Sequence, residues 1–152
     1  MAPAVEWRWY GLADLSAREA YAVLAARMAV FVVEQNCIYQ DLDGLDQHAL
    51  HLVGWAEEAV VAYLRVLPPG TRFDDPSIGR LLVHRDFRRS RFASAAMNMA
   101  LQKIATLYPF QPVRISAQTY LEAFYAALGF VTVSAVYAED GIPHVEMLRN
   151  AP

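Results

Sequence analysis

Apolar and polar positions alternate at two periods along this chain, and the switches between them predict its elements. Glu6 to Leu12 carries aromatics at Trp7, Trp9 and, out of phase, Tyr10, as a first strand does. Ser16-Ala17-Arg18-Glu19 is a capping box, in which the serine hydroxyl and the glutamate satisfy free N–H groups reciprocally. A helix to about Gln35 is expected to follow. Tyr21, Leu24, Ala25, Met28, Phe31, Val32 and Gln35 trace one face of it. The branched run Val30 to Val33 forms helix poorly, which predicts a frayed or bent end. Asn36 to Gln47 is a polar connection. His48 to Glu57 and Glu58 to Pro68 read as two strands turning at Glu57-Glu58, a hairpin without glycine. Pro68, Pro69, Gly70 and Pro76 mark a loop.

Ile78, Leu81, Leu82 and Val83 then make a short apolar strand. From Phe92 the period becomes helical, with Phe92, Ala95, Ala96, Met99 and Lys103 on one side and Ser94, Asn98, Gln102 and Thr106 on the other. That helix ends near Tyr108-Pro109, and Pro112 to Ala117 is a strand. Thr119 to Glu122 forms a second capping box, opening a short helix that closes at Gly129 with Phe130 just beyond. Val131 to Tyr137 is a strand, Glu139-Asp140-Gly141 a turn, and Val145 to Leu148 the last strand. Residues 77–117 thus form one βαβ unit, hence a parallel pair with a right-handed crossover. The rest is meander-like. The fold class is α/β (α+β): a mixed, mostly antiparallel sheet with a central parallel strand pair and helices on both faces.

With 152 residues, the chain is expected to form a single domain over residues 1–152. Apolar residues at 56% exclude a disordered chain, and a net charge of -3 gives no global basic footprint for nucleic acid. Cys37 is the lone cysteine, which excludes an intrachain disulfide and suits a reducing compartment. No apolar run is long enough for a membrane span, and the first residues lack a signal-peptide pattern. A cytoplasmic protein without membrane or nucleic-acid partners is expected.

Two stretches carry candidate chemistry. His84 to Arg91 puts five His or Arg residues at the start of a helix. Free first-turn N–H groups, the helix dipole and arginines together attract phosphate. The bland alternative is a solvated basic loop. In the polar connection, Asp41, Asp43 and Asp46 invite a calcium reading. It fails on detail, because Leu45 stands at the fifth position and Gly44 at the fourth, so no metal is expected. These carboxylates form either a solvated loop or a negative rim that attracts a cationic substrate.

The order strand, Leu81-x-Val83, basic turn, Arg88 to Ala93, helix resembles the acetyl-CoA segment of the GNAT N-acyltransferases, whose pattern is Q/R-x-x-G-x-G/A. Arg88 matches the first position and Ala93 the last, while Arg91 stands where the family has glycine. Phe124 to Phe130 (FYAALGF) is similar to the family's late helix. Val30 to Gly54, Ala62 to Leu67 and Val136 to Met147 resemble its ElaA-type branch, so the resemblance covers nearly the whole chain.

The resemblance implies acetyl-CoA as cosubstrate and a small-molecule or peptide amine as acceptor, joined by direct attack. It assigns the phosphates to Arg88, Arg89, Ser90, Arg91, Phe92 and Ala93. It assigns the thioester carbonyl to backbone N–H groups near Leu82 and Val83. Tyr125 is the candidate general acid, against a core-aromatic reading alongside Leu121 and Leu128. Glu34 is either a base that accepts a proton or orients a water, or a surface carboxylate paired with Arg65. Glu34, Arg65, Gln118 and His144 form the expected substrate-binding set, with His144 at the rim; His51 belongs to its strand. The rival reading is an acyl-CoA-binding module without turnover, for which Arg91 speaks. A homodimer is left open.

Overall fold

The computed structural model describes residues 3–152, and the described strands form one sheet. In chain order the elements are β1 (Glu6–Gly11), α1 (Ala17–Arg27), β2 (Leu50–Ala56), β3 (Ala59–Leu67), β4 (Ser77–Val83), α2 (Phe92–Leu107), β5 (Val113–Gln118), α3 (Glu122–Ala126), β6 (Val131–Thr132), β7 (Tyr137–Glu139) and β8 (Ile142–Arg149). Across the sheet the order is β1-β2-β3-β4-β5-β8-β6, with β7 also paired to β8. Every neighbouring pair is antiparallel except β4 and β5. The expected mixed sheet with a central parallel pair is therefore what the chain builds.

Each face of the sheet carries a core. On one, Ala96, Met97, Ala100, Leu101 and Ile104 of α2 pack on Leu64, Ile115, Ala117, Val145 and Met147. On the other, Val23 and Phe31 pack on Val53, Tyr63 and Leu82. Asn98, Gln102 and Thr106 stay exposed as expected, but the buried stripe of α2 runs through Met97 and Ile104 rather than Phe92 and Lys103.

The first capping box is present: Glu19 N donates to Ser16 Oγ at 3.1 Å, and Ser16 N donates to Glu19 Oε1 at 2.8 Å. The face predicted for α1 is not the buried one. Tyr21 is 78% exposed and Met28 42%, whereas Val23, Arg27 and Phe31 are buried. An apolar count misses this face because an arginine lies at its centre. Past Arg27 the helix widens into π turns over Met28–Glu34, with Gln35 N bonded to Val30 O at 3.1 Å and Cys37 N to Val32 O at 3.0 Å. The bend falls where the branched residues predicted it.

Two other predictions change. Thr119 opens a 3-10 turn with no side-chain cap, and Glu122 accepts a hydrogen bond from Thr132 instead. The strand expected over Val131 to Tyr137 breaks into β6 and β7, and Ser134 Oγ accepts from Glu146 N at 2.8 Å within the break. The Glu57-Glu58 hairpin holds, with Glu57 itself supplying the positive φ of 55°. Gly129 closes α3 at φ 95°, and Phe130 beyond it is buried against Tyr125.

Two irregularities in β4 prepare a site. Tyr63 pairs with Leu82 but Arg65 pairs with Gly79, so Arg80 and Leu81 share one partner, a β-bulge with Arg80 at φ 55°. The bulge reverses the strand's phase: Ile78 joins the core under α2, and Leu82 joins the core under α1. The parallel pair holds at one register position, Ser77 opposite Arg114, and the two strands part beyond it.

Candidate active site

A cavity of about 730 Å³ opens where β4 and β5 separate. Of the residues expected at the site, Tyr125, Glu34, Leu82, Val83, Arg88, Arg89, Ser90, Arg91, Phe92, Ala93, Gln118 and His144 all line it. Arg65 does not.

The basic turn is built from its backbone outward. His84 N donates to Val61 O at 2.7 Å, tying the end of β4 to β3. Strand alternation then turns the Val83 N–H and C=O toward the gap left by β5. A 3-10 turn over Arg85–Phe87 follows, and the Ser90 hydroxyl donates to the Phe87 carbonyl. Arg89 and Arg91 take left-handed conformations, φ 66° and 63°. Arg91 thus adopts the conformation that glycine would supply, at a cost of roughly 1–2 kcal/mol for a residue with a Cβ. Arg91 is the N-cap of α2, and no side chain caps that helix, so its first-turn N–H groups are free for an anion. This turn fits a diphosphate.

Glu34 pairs with Arg88, not Arg65. Arg88 Nη1 and Nη2 reach both carboxylate oxygens of Glu34, the second at 3.0 Å, and Arg88 Nε donates to Val83 O at 3.0 Å. The Arg88 hydrogen bond holds the Glu34 carboxyl below its usual range, with further help from the Arg88 and Arg85 charges. A carboxylate so held is a weak base, which favours a positioning role for Glu34.

Arg65 is buried away from the cavity. Its Nη2 lies 2.5 Å from Asp43 Oδ2 and its Nη1 3.0 Å from Asp46 Oδ1. The acidic connection is only partly solvated: Asp43 keeps some exposure, but its carboxylate is paired. Asp41 and Asp46 are buried, and Arg27 reaches them at 2.9 and 2.6 Å. Arg80 Nε lies 2.8 Å from Asp41 Oδ1, and Tyr39 donates to the same oxygen at 2.7 Å. Burial alone would raise the Asp43 carboxyl. Hydrogen bonds from Arg65 and the Leu45 N–H, with the Arg65 and Arg80 charges, drive it well below the usual carboxylate range. Three arginines consume the three aspartates and seat Tyr39 and Arg80 in the cavity wall. The signal was present in the sequence as three Asp beside three remote Arg, but spacing cannot pair residues so far apart.

Tyr125 lies in the core on the α2 side and also lines the cavity, edge-on to Phe124 and Phe130 with ring centroids at 5.1 and 6.0 Å. Burial, then the nearby Tyr120, pushes its phenol far above the ordinary value, so it is neutral at physiological pH.

Gln118, His144 and Tyr137 form one row across β5, β8 and β7. They alternate with Ala117 and Val145, which face α2, so the row faces the α1 side. Gln118 Nε2 donates to Gln35 Oε1 at 3.3 Å. His144 is 7% exposed, not a surface histidine. Its Nδ1 lies 2.6 Å from the Ile142 carbonyl and its Nε2 3.3 Å from Glu139 Oε2. Cys37, Ser116 and Glu139 also line the cavity and were not expected there. Strand alternation alone could have found Ser116, between Ile115 and Ala117.

A basic turn with free helix N–H groups, a gap between splayed strands and a buried tyrosine thus share one cavity. Residues 12–150 match the family model described as the acetyltransferase (GNAT) domain, and the chain belongs to that family. Within it the chain is 40% identical over 148 residues to protein ElaA of Escherichia coli strain K12, covering 96% of this chain and 97% of the relative. The crystal structure of Escherichia coli ElaA superposes with a TM-score of 0.87 at 39% identity, covering 95% and 99% of the two chains, which places the chain in the ElaA-type branch. An acyl-CoA N-acyltransferase from Pseudomonas aeruginosa superposes with a TM-score of 0.91 at 41% identity, covering 96% and 99%.

Proposed function

We propose that this protein transfers an acetyl group from acetyl-CoA to a primary amine of a small molecule or peptide by direct attack. The observation that carries the reading is one continuous cavity joining the uncapped start of α2 to the splayed strands and to Tyr125. Bound acetyl-CoA would supply an activated acyl thioester.

The amides of Phe92 and Ala93, with Arg89 and Arg91, would hold its phosphates. The Val83 N–H, facing the gap, would donate to the carbonyl and stabilise the charge that develops there. Tyr125 would give its proton to the departing thiolate; the burial that raises the phenol raises the thiolate as well. The Glu34–Arg88 pair would position the turn against the π-helical segment.

The melting temperature measured against acetyl-CoA, free CoA and ATP tests the reading. At about 100 times the dissociation constant, a ligand selective for the folded state adds roughly 2.7 kcal/mol, or about 5–10 °C for a chain this long. The expected result is a shift with acetyl-CoA and CoA and none with ATP. No shift with either CoA species overturns it. N-acetylated product in an amine screen then separates an enzyme from a module that only binds.

A further inference from the structure

Among the described residues, Gly79 in β4 is the glycine that neither backbone nor packing explains. Gly44, Gly70, Gly129 and Gly141 hold a positive φ. A Cβ on Gly11 would lie 3.0 Å from the Asp14 carboxylate, and one on Gly54 2.9 Å from the Trp7 ring. Gly79 has no positive φ, and a Cβ built on it meets no heavy atom within 4 Å outside its two neighbours in the chain. A glycine inside a strand weakens it, and it marks a place where another group comes close to the backbone. Gly79 lines the cavity, so the group that comes close is a ligand.

The position of Gly79 says which part of a ligand. Gly79 pairs with Arg65, which alternates with Leu64 and Val66 of the core under α2, so it faces the α1 side. It stands between the ends of the wedge that β4 and β5 enclose. Val83, where the strands are apart, lies four residues on, or about 13 Å of strand; Ser77, where β4 still pairs with Arg114, lies two residues back. A CoA thioester held by its phosphates between Arg88 and Ala93 enters at the Val83 end, and its acyl group leads toward Ser77. An acetyl methyl is one bond beyond the carbonyl held at Val83 and leaves the space at Gly79 empty. The walls of that space are apolar: Ile78, Leu81 and Leu82 of β4, Ile115 of β5, Met97 of α2 and Phe31 all line the cavity. The polar groups nearest Gly79 already have partners. Arg80 pairs with Asp41 and Asp43, and Ser116 Oγ lies 2.5 Å from Tyr137 Oη. Such a space takes hydrocarbon and not a further polar group.

We infer that the wedge from Val83 to Ser77 is an acyl-chain pocket kept open by Gly79, and that its donor class is straight-chain acyl-CoA longer than acetyl-CoA, with acetyl-CoA the smallest thioester it accommodates. The inference rests on the N-acyltransferase reading and names the donor of that reaction. Chain length leaves the chemistry balanced as before: the C–N bond forms, the C–S bond breaks, and one proton moves from nitrogen to sulfur.

The experiment measures dissociation constants of CoA, acetyl-CoA and hexanoyl-CoA for the full chain by titration calorimetry, in the wild type and in Gly79→Val. Each methylene taken into an apolar pocket is worth roughly fourfold in affinity. The expected result is hexanoyl-CoA at least tenfold tighter than acetyl-CoA in the wild type, and a difference under twofold in Gly79→Val, whose branched side chain fills the space. Gly79→Ala has room for its methyl and should keep the urea midpoint of the wild type or raise it. Hexanoyl-CoA no tighter than acetyl-CoA, or a preference that survives in Gly79→Val, overturns the inference. So does a lower midpoint in Gly79→Ala, which would make the glycine a requirement of the strand. With any amine the wild type acylates, Gly79→Val should lower kcat/KM for hexanoyl-CoA relative to acetyl-CoA at least tenfold. A raised acceptor KM with that ratio unchanged would give the space to the acceptor and overturn the inference. A hexanoyl preference without transfer to any amine would sink the transferase reading and keep the pocket. Acetyl transfer without a hexanoyl preference would do the reverse.

Discussion

Tyr125 carries two roles in one side chain. Its ring packs in the core beside Phe130, and the residue also lines the cavity. Tyr125→Phe keeps the ring and removes the proton. Turnover should fall about 100-fold or more, the usual share of a general acid, while the CoA-induced rise in melting temperature stays within error. Steady-state kinetics beside a CoA titration decide it, and unchanged turnover would return Tyr125 to the core alone. Arg91 illustrates a different point at this scale. The residue type departs from the family's glycine, and Arg91 takes a left-handed φ of 63°, a conformation that glycine adopts freely. The departure that spoke for a non-catalytic module thus adds a charge at the proposed phosphate turn.

At the scale of elements, the connection between the π-helical segment and β2 is held by charge. Asp46 accepts from Arg27 and from Arg65, on α1 and β3. Asp46→Ala would leave two buried guanidinium groups short of a partner, and breaking such a pair costs about 3–5 kcal/mol. That is a large share of the ~5–15 kcal/mol a domain has. A urea titration should show a much lower midpoint or no folded baseline; a loss under about 1 kcal/mol would contradict the network's role. Elements whose evidence is local were legible in the sequence: the Ser16–Glu19 cap, the Gly129 stop, the hairpin at Glu57-Glu58. The buried face of α1 was not, because Arg27 is polar by any scale and is buried only through partners 14 and 19 residues away. The Thr119 box failed for the matching reason: Glu122 found Thr132 in a neighbouring strand.

At the scale of the whole molecule, these buried charges set a pH dependence. Asp43 and Asp46 titrate below their unfolded values: burial opposes ionisation, but hydrogen bonds and charges of Arg65 and Arg27 outweigh it. His51 is also lowered, by burial, and stays neutral between the Tyr63 hydroxyl and the Asp46 carbonyl. Each group binds fewer protons folded than unfolded, so each favours the fold above its unfolded pKa and loses that contribution as pH falls. Stability should be flat above about pH 7. It should decline first below about 6.5, as unfolded His51 gains a proton, and more steeply below about 4, as the aspartates do. Urea midpoints across pH 3–8 measure this. Asp43→Asn should flatten the steeper limb, and a profile without either limb would contradict the assignment.

The sequence by itself determined the order of elements as far as Phe130, the parallel pair and the family, because each is written in neighbours a few residues apart. Of the residues it nominated, all but Arg65 line the cavity, while Cys37, Ser116 and Glu139 were not among them. Only the tertiary structure decided which charges meet. It gave Glu34 to Arg88, buried Arg65 with Asp43 and Asp46, and set His144 against Glu139. It also decided where the sheet opens, since the bulge at Arg80 and the single paired position of β4 with β5 arise from twist and packing across the whole sheet. Coulomb energy and desolvation depend on distance in space and on what surrounds a charge, and neither quantity is a function of spacing along the chain.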